Sequence, residues 1–166
     1  AGYKKFLEDR VGKEVMIPGP FKNEEGTVVG QHKGIAYYTI GQRDKLGIAL
    51  GYPVYVYKIE KFTNTVYVGN LTRLYAKGLV AGQVNLVSMN FTQETLEVKV
   101  RIRYNQPEVK AFLTCVNEGQ VKVIFETPQK SVTPGQSVVF YDGEVVLGGA
   151  INDEAIACVP QELPLE

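Results

Sequence analysis

Residues 95–103 alternate without a break, with Leu96, Val98, Val100 and Ile102 on one side and Glu97, Lys99, Arg101 and Arg103 on the other. A period of two belongs to a strand with one buried and one solvated face, and helical geometry cannot accommodate it. The segments that follow keep the same character. Residues 109–116 and 120–126 are strand-like and joined by Asn117-Glu118-Gly119. Residues 137–141 and 144–147 flank Asp142-Gly143, whose residue types suit a two-residue hairpin turn of the primed type. Residues 155–159 read as a last strand. Strands this short and this evenly spaced predict a small barrel or sandwich.

The first half is less regular. Tyr3, Phe6 and Leu7 fall at helical spacing, which predicts a short helix over 3–10. Gly12, Pro18, Gly19 and Pro20 break residues 11–26 into a loop with at most one short strand, over 14–17. Residues 35–40 are β-branched and aromatic and read as a strand. Residues 43–50 form a turn or a single helical turn. A strand over 52–59 turns at Thr63-Asn64 into a partner over 65–68. Residues 71–82 suit a short helix ending at Gly78, and the boundary between two modules falls near there, giving 1–82 and 83–166. Residues 163–166 are a tail.

Apolar residues make up 45% and charged residues 22% of the chain, which places it with folded proteins and away from disordered ones. No apolar run reaches the roughly 20 residues of a membrane span, and no signal peptide opens the chain, so the expectation is a cytoplasmic protein without a membrane partner. Cys115 and Cys158 stand apart, which favours reduced core thiols over a disulfide frame or a nucleophile. Net charge is zero but unevenly spread. Residues 1–84 hold 12 Lys/Arg against 7 Asp/Glu, and residues 85–166 hold 6 against 11. A nucleic-acid partner of the second half would therefore need a local basic stripe there.

Catalytic signatures are absent from the residues themselves. No phosphate-cradling Gly-Lys-Ser/Thr loop occurs, and one histidine with two isolated cysteines cannot close a zinc site. Three stretches draw attention instead. The first is GTVVGQHKGIAYYTIGQR over 26–43, where His32 sits among glycines and Gln42-Arg43 offers amide and guanidinium donors. His32 favours a backbone hydrogen bond that orders its loop, with a contact to RNA as the alternative. Arg43 suits equally an anionic ligand or the carbonyls of its own loop. The second is Lys99, Arg101 and Arg103, spaced about 6.6 Å apart along one strand face and followed by Tyr104. That is either an ordinary solvated face or a basic stripe ending in a ring that stacks on an unpaired base. The third is Thr133-Pro134-Gly135-Gln136-Ser137, where Pro134 and Gly135 suit a type II turn.

These stretches, in this order, resemble the bacterial tRNA-specific 2-thiouridylase family, whose older label is tRNA methyltransferase. The resemblance rests on Gly30, His32, Gly34, Tyr37, Tyr38, Thr39, Ile40, Gly41, Gln42 and Arg43, on Arg103-Tyr104, on Thr133 to Ser137, and on Leu147-Gly148-Gly149-Ala150-Ile151. It implies a mainly β protein with a small central β-rich domain carrying a short N-terminal helix, then a six-stranded β-barrel of the elongation-factor type. It also implies that Arg103, Tyr104 and Gln136 contact tRNA, with Arg101 standing where the family has lysine and Lys99 beside it. His32, Gln42 and Arg43 match the central-domain motif. Asn105 replaces a family arginine, and Asp44 a family lysine.

The likeness covers only the family's central and C-terminal parts. ATP binding, adenylation of the wobble uridine at C2 and both catalytic cysteines belong to a preceding domain, the persulfide-bearing cysteine lying just before residue 1. The resemblance thus implies ATP, a persulfide sulfur donor, and a sulfur-relay protein or cysteine desulfurase for the whole enzyme. It assigns no cofactor and no metal to these residues, which would grip tRNA and turn nothing over by themselves. Two other classes remain open: a protein-docking barrel of a translation-type factor, favoured by the acidic second half, and a tRNA methyltransferase. The latter would need a methyl-donor site, and no glycine-rich loop followed by an acidic residue after a strand supplies one.

Overall fold

The computed structural model describes residues 13–90, 94–158 and 163. The chain divides into two compact units between Leu74 and Tyr75. The helix expected over 3–10 lies outside the described residues.

The first unit is a four-stranded sheet of β1 (Gly19–Lys22), β2 (Val28–His32), β3 (Tyr55–Glu60) and β4 (Thr65–Gly69), in the order β2-β1-β4-β3. β1 runs parallel to β4 and the other pairs are antiparallel. Phe21, Val56, Val66 and Val68 are buried against Ile35, Leu46 and Val54. Each fully buried side chain of this kind is worth about 1.5–3 kcal/mol.

Three expectations fail in this unit. Residues 14–17 form no strand, because Lys13–Met16 is a turn of 3-10 helix. Residues 35–40 form no strand either. Ile35–Tyr37 is another 3-10 turn, entered through Gly34 at φ 134°. A Cβ on Gly34 would lie 2.6 Å from the Met16 Cα, so only glycine fits there. The apolar residues of that run serve burial, Ile35 inside the core and Tyr38 and Ile40 against it. The strand expected over 52–59 starts at Tyr55, since Pro53 has no N–H to give a ladder. The Thr63-Asn64 turn forms as expected, with Asn64 at φ 49°.

The second unit is a closed barrel. Its strands are β5 (Tyr75–Leu86), β6 (Thr95–Arg101), β7 (Val109–Asn117), β8 (Gln120–Lys130), β9 (Ser137–Asp142) and β10 (Val145–Ala157), in the order β10-β5-β8-β7-β6-β9. All six neighbouring pairs are antiparallel. Closure removes the exposed sheet edge that an open arrangement would leave. Leu79, Val98, Val100, Leu113, Val123 and Phe140 fill its interior, and the alternation of β6 points Glu97 and Lys99 outward. The mainly β fold with a six-stranded barrel is as expected.

Two barrel strands differ from their sequence reading. The helix expected over 71–82 is one 3-10 turn, Leu71–Leu74, after which β5 runs on through the proposed 82/83 division. Gly78 and Gly82 suggest helix breaking, yet both sit in the strand because neighbours crowd them. A Cβ on Gly78 would lie 2.2 Å from the Val123 carbonyl oxygen, and one on Gly82 2.4 Å from Asp153. The strands expected over 144–147 and 155–159 are not separate: one strand, β10, runs from Val145 to Ala157, and residue 159 lies outside the described residues. Cys115 is buried and Cys158 is half-buried, and neither forms a disulfide among the described residues.

Candidate functional site

In the first unit, His32 is 1% exposed and spent on structure. Its Nδ1 accepts from the Gly34 N–H at 3.0 Å, and its Nε2 donates to the Asn64 carbonyl at 2.9 Å. Phe21 and Tyr38 meet the ring edge-on at centroid distances of 5.5 and 5.7 Å. Burial pushes the imidazole below its ordinary value, while the Asn64 carbonyl pulls the other way. A neutral, enclosed ring orders its loop and cannot reach a base.

Gln42 is likewise committed. Its Oε1 accepts from the Thr39 N–H at 3.1 Å, its Nε2 donates to the Asp44 carbonyl at 3.0 Å, and its own carbonyl accepts from the Val56 N–H at 2.9 Å. Arg43 is the one member of this trio that projects, exposed and with no side-chain partner among the described residues. It borders a shallow concavity with Leu46, Ile48 and Tyr52. On the same unit Arg73 donates to Glu24 at 2.7 Å and lies 5.9 Å from the Tyr57 ring centre. That bond holds the Glu24 carboxyl below the usual carboxylate range, and burial pushes the Tyr57 hydroxyl up.

The barrel carries the other named residues, on and beside β6. Lys99 faces outward, opposite Lys110 of β7 and opposite Tyr141 of β9. Both lysines are exposed and lack a hydrogen-bond or ion-pair partner among the described residues. Like charges directly opposite each other weaken a strand pair, so this row becomes favourable when an anion lies over it. Arg101 is half-buried. It pairs with Glu108 and places its guanidinium 5.6 Å from the centre of the Tyr141 ring.

Arg103 does not share the strand face with Lys99 and Arg101, because β6 ends at Arg101. It opens a turn whose Gln106 N–H bonds the Arg103 carbonyl at 3.2 Å. Its Nη2 donates to the carbonyl of Ser131, in the β8–β9 connection. Tyr104, next in the turn, is 90% exposed.

Gln136 is exposed at the far end of that connection. Gly135, at φ 88°, adopts the third-residue geometry of a type II turn. Its N–H donates to the Asn152 carbonyl at 2.7 Å, and the Asn152 N–H donates to the Gln136 carbonyl at 2.9 Å. The two loops bearing Tyr104 and Gln136 thus meet through Arg103 and Ser131.

Lys110, Tyr141, Glu108 and Ser131 were missed by sequence reasoning. Strand register alone brings the first two to Lys99. The alternation of Lys110 with buried Ala111 was a signal for its outward face, but not for its neighbour. Among the described residues no group of three His, Cys, Asp or Glu side chains could hold a metal, and no helix is long and apolar enough to cross a membrane. The arrangement offers cations, an uncovered ring and an amide. Those are the means of holding a phosphodiester chain with unstacked bases.

Residues 4–70 match the family described as tRNA methyl transferase PRC-barrel domain, and residues 76–151 that described as aminomethyltransferase beta-barrel domain. The tRNA-specific 2-thiouridylase MnmA of Halothermothrix orenii is 48% identical over 155 residues, and that of Acetivibrio thermocellus 47% over 149. These alignments cover 92% and 90% of this chain. The chain spans only 42% and 41% of those relatives.

Proposed function

The chain belongs to the tRNA-specific 2-thiouridylase family, and from that premise we propose that it grips and positions tRNA for the sulfur transfer named by its relatives. In this reading the whole enzyme uses ATP to activate the 2-oxygen of the wobble uridine and replaces it with sulfur. The sulfur comes from a persulfide that a sulfur-relay protein or cysteine desulfurase supplies. The residues described here provide the hold and not the bond-making.

One observation carries the reading: the outward row Lys110–Lys99–Tyr141 on a half of the chain that is otherwise acidic. Two adjacent cations without internal partners would each displace a condensed counterion from a nucleic-acid backbone. In the turn between β6 and β7, Tyr104 offers an uncovered ring, and stacking on such a ring is worth about 1–3 kcal/mol per base.

The test is filter binding of this chain to a tRNA transcript across a salt series. Binding should weaken linearly in log affinity against log salt. Lys99→Gln with Lys110→Gln should lower the slope by about 1.5, between the single-strand and duplex values for two phosphates. No retention of tRNA at low salt, or an unchanged slope, would sink the reading.

A further inference from the structure

Resting on that reading, we infer that Tyr141 and Val146 seat one unpaired nucleotide, whose phosphate lies over Lys99 and Lys110 while its base lies on the Tyr141 ring.

Strand register builds the seat. Lys110 of β7 stands opposite Lys99 of β6, Lys99 opposite Tyr141 of β9, and Tyr141 opposite Val146 of β10. Residues directly opposite each other share a face of the sheet, so the four side chains form one row across the outer wall of the barrel. Three interstrand steps give that row a length of about 14 Å.

The row changes character along its length. Two exposed lysines, without a hydrogen-bond or ion-pair partner among the described residues, make one end. A ring and an aliphatic side chain make the other. A bulge in β10 between Val146 and Gly148 turns Leu147 into the core, while Val145 and Val146 stay 54% and 41% exposed.

Tyr141 is half-buried, and its hydroxyl is neither sealed nor bonded to any described residue. Buried tyrosines ordinarily find a partner for that group, so the ring holds a spare donor at the rim of the seat. Arg101, itself paired with Glu108, sets its guanidinium 5.6 Å from the ring centre. A cation within about 6 Å is attracted to the face of a ring, and an anchored one limits where the ring can turn.

A duplex would use the lysines alone, because its bases are paired and stacked inside the helix. An unpaired nucleotide uses the whole row, with its phosphate on the cations and its base on the ring against Val146.

The chain contains no tryptophan, so Tyr141→Trp places a single indole in the seat. Single-stranded oligouridylate, whose bases stack weakly on one another, should quench its emission. A blunt RNA duplex of equal phosphate count should not. Tyr141→Leu should weaken oligouridylate binding about five- to tenfold, the lower part of the stacking range. It should leave the salt slope unchanged, because no charge is removed. Tyr141→Phe, which keeps the ring, should retain most of the affinity. Val146→Ser, at an exposed position, should also weaken binding without changing the slope, and it decides the matter should Tyr141→Leu melt early.

Equal quenching by duplex and single strand overturns the inference. So does an affinity for oligouridylate that Tyr141→Leu and Val146→Ser both leave at the unsubstituted value. Should tRNA be retained with a lysine-dependent slope while neither substitution matters, the seat alone falls. Quenching by oligouridylate without retention of tRNA defeats the functional reading alone, and failure to bind either RNA defeats both.

Discussion

His32 shows what a single side chain does here. It is the only histidine of the chain, and it is folded away as a neutral ring between two backbone partners. Burial lowers its pKa from the ordinary 6.5, so the folded state resists a proton that the unfolded chain accepts. The stability of the first unit should therefore be level above about pH 7.5, fall as pH drops through 6.5, and level off below the folded pKa. Urea midpoints at pH 8, 6.5 and 5 measure this, and His32→Gln should flatten the profile. A midpoint rising toward pH 5 would contradict the assignment. The glycine-bracketed loop made His32 legible as a loop-ordering residue. Which carbonyl it meets was not legible, because Asn64 lies 32 residues away.

Among the elements, β5 and β10 make the barrel possible and were the hardest to read. β5 carries two glycines and reads as a broken helix, but each glycine admits a neighbour. Gly78→Ala would push a methyl into the Val123 carbonyl of β8, a backbone atom that cannot step aside. The expected loss is about 2 kcal/mol or more. That corresponds to a fall of roughly 10 °C in the melting point of a unit this size. Differential scanning calorimetry reads it, and an unaltered melt would mean that β5 and β8 do not approach as described. By contrast, β6 was legible almost to its ends, since Glu97 and Lys99 alternate with buried Val98 and Val100. Its true end at Arg101 was not, and that end takes Arg103 off the strand face and into a turn.

For the whole molecule, all the proposed tRNA contacts lie in the closed barrel, and of His32, Gln42 and Arg43 in the first unit only Arg43 is an exposed cation without a side-chain partner among the described residues. Residues 75–166 produced by themselves should keep tRNA affinity within a few-fold of the full chain, while residues 1–74 should bind far more weakly. Electrophoretic mobility shifts at low salt compare the three, and the reverse ranking would move the site to the first unit. What the amino-acid order determined by itself is local: the two-residue period of β6, the turn at Pro134-Gly135, and the motifs that mark the family, whereas the β9–β10 hairpin expected to turn at Asp142-Gly143 turns one residue on, at Gly143-Glu144, because Asp142 pairs with Val145. Each depends on backbone preferences and side-chain parity within a few residues, which a single stretch encodes. Only the tertiary structure decided which polar groups were left over for a partner. Gln42 and His32 are satisfied internally, Arg101 and Arg103 each give one guanidinium nitrogen to an internal acceptor while their buried Nε atoms find none, and Lys99, Lys110 and Tyr104 have no internal partner among the described residues. A donor's availability depends on which acceptor the fold brings to it from elsewhere, and strand register and loop packing set that.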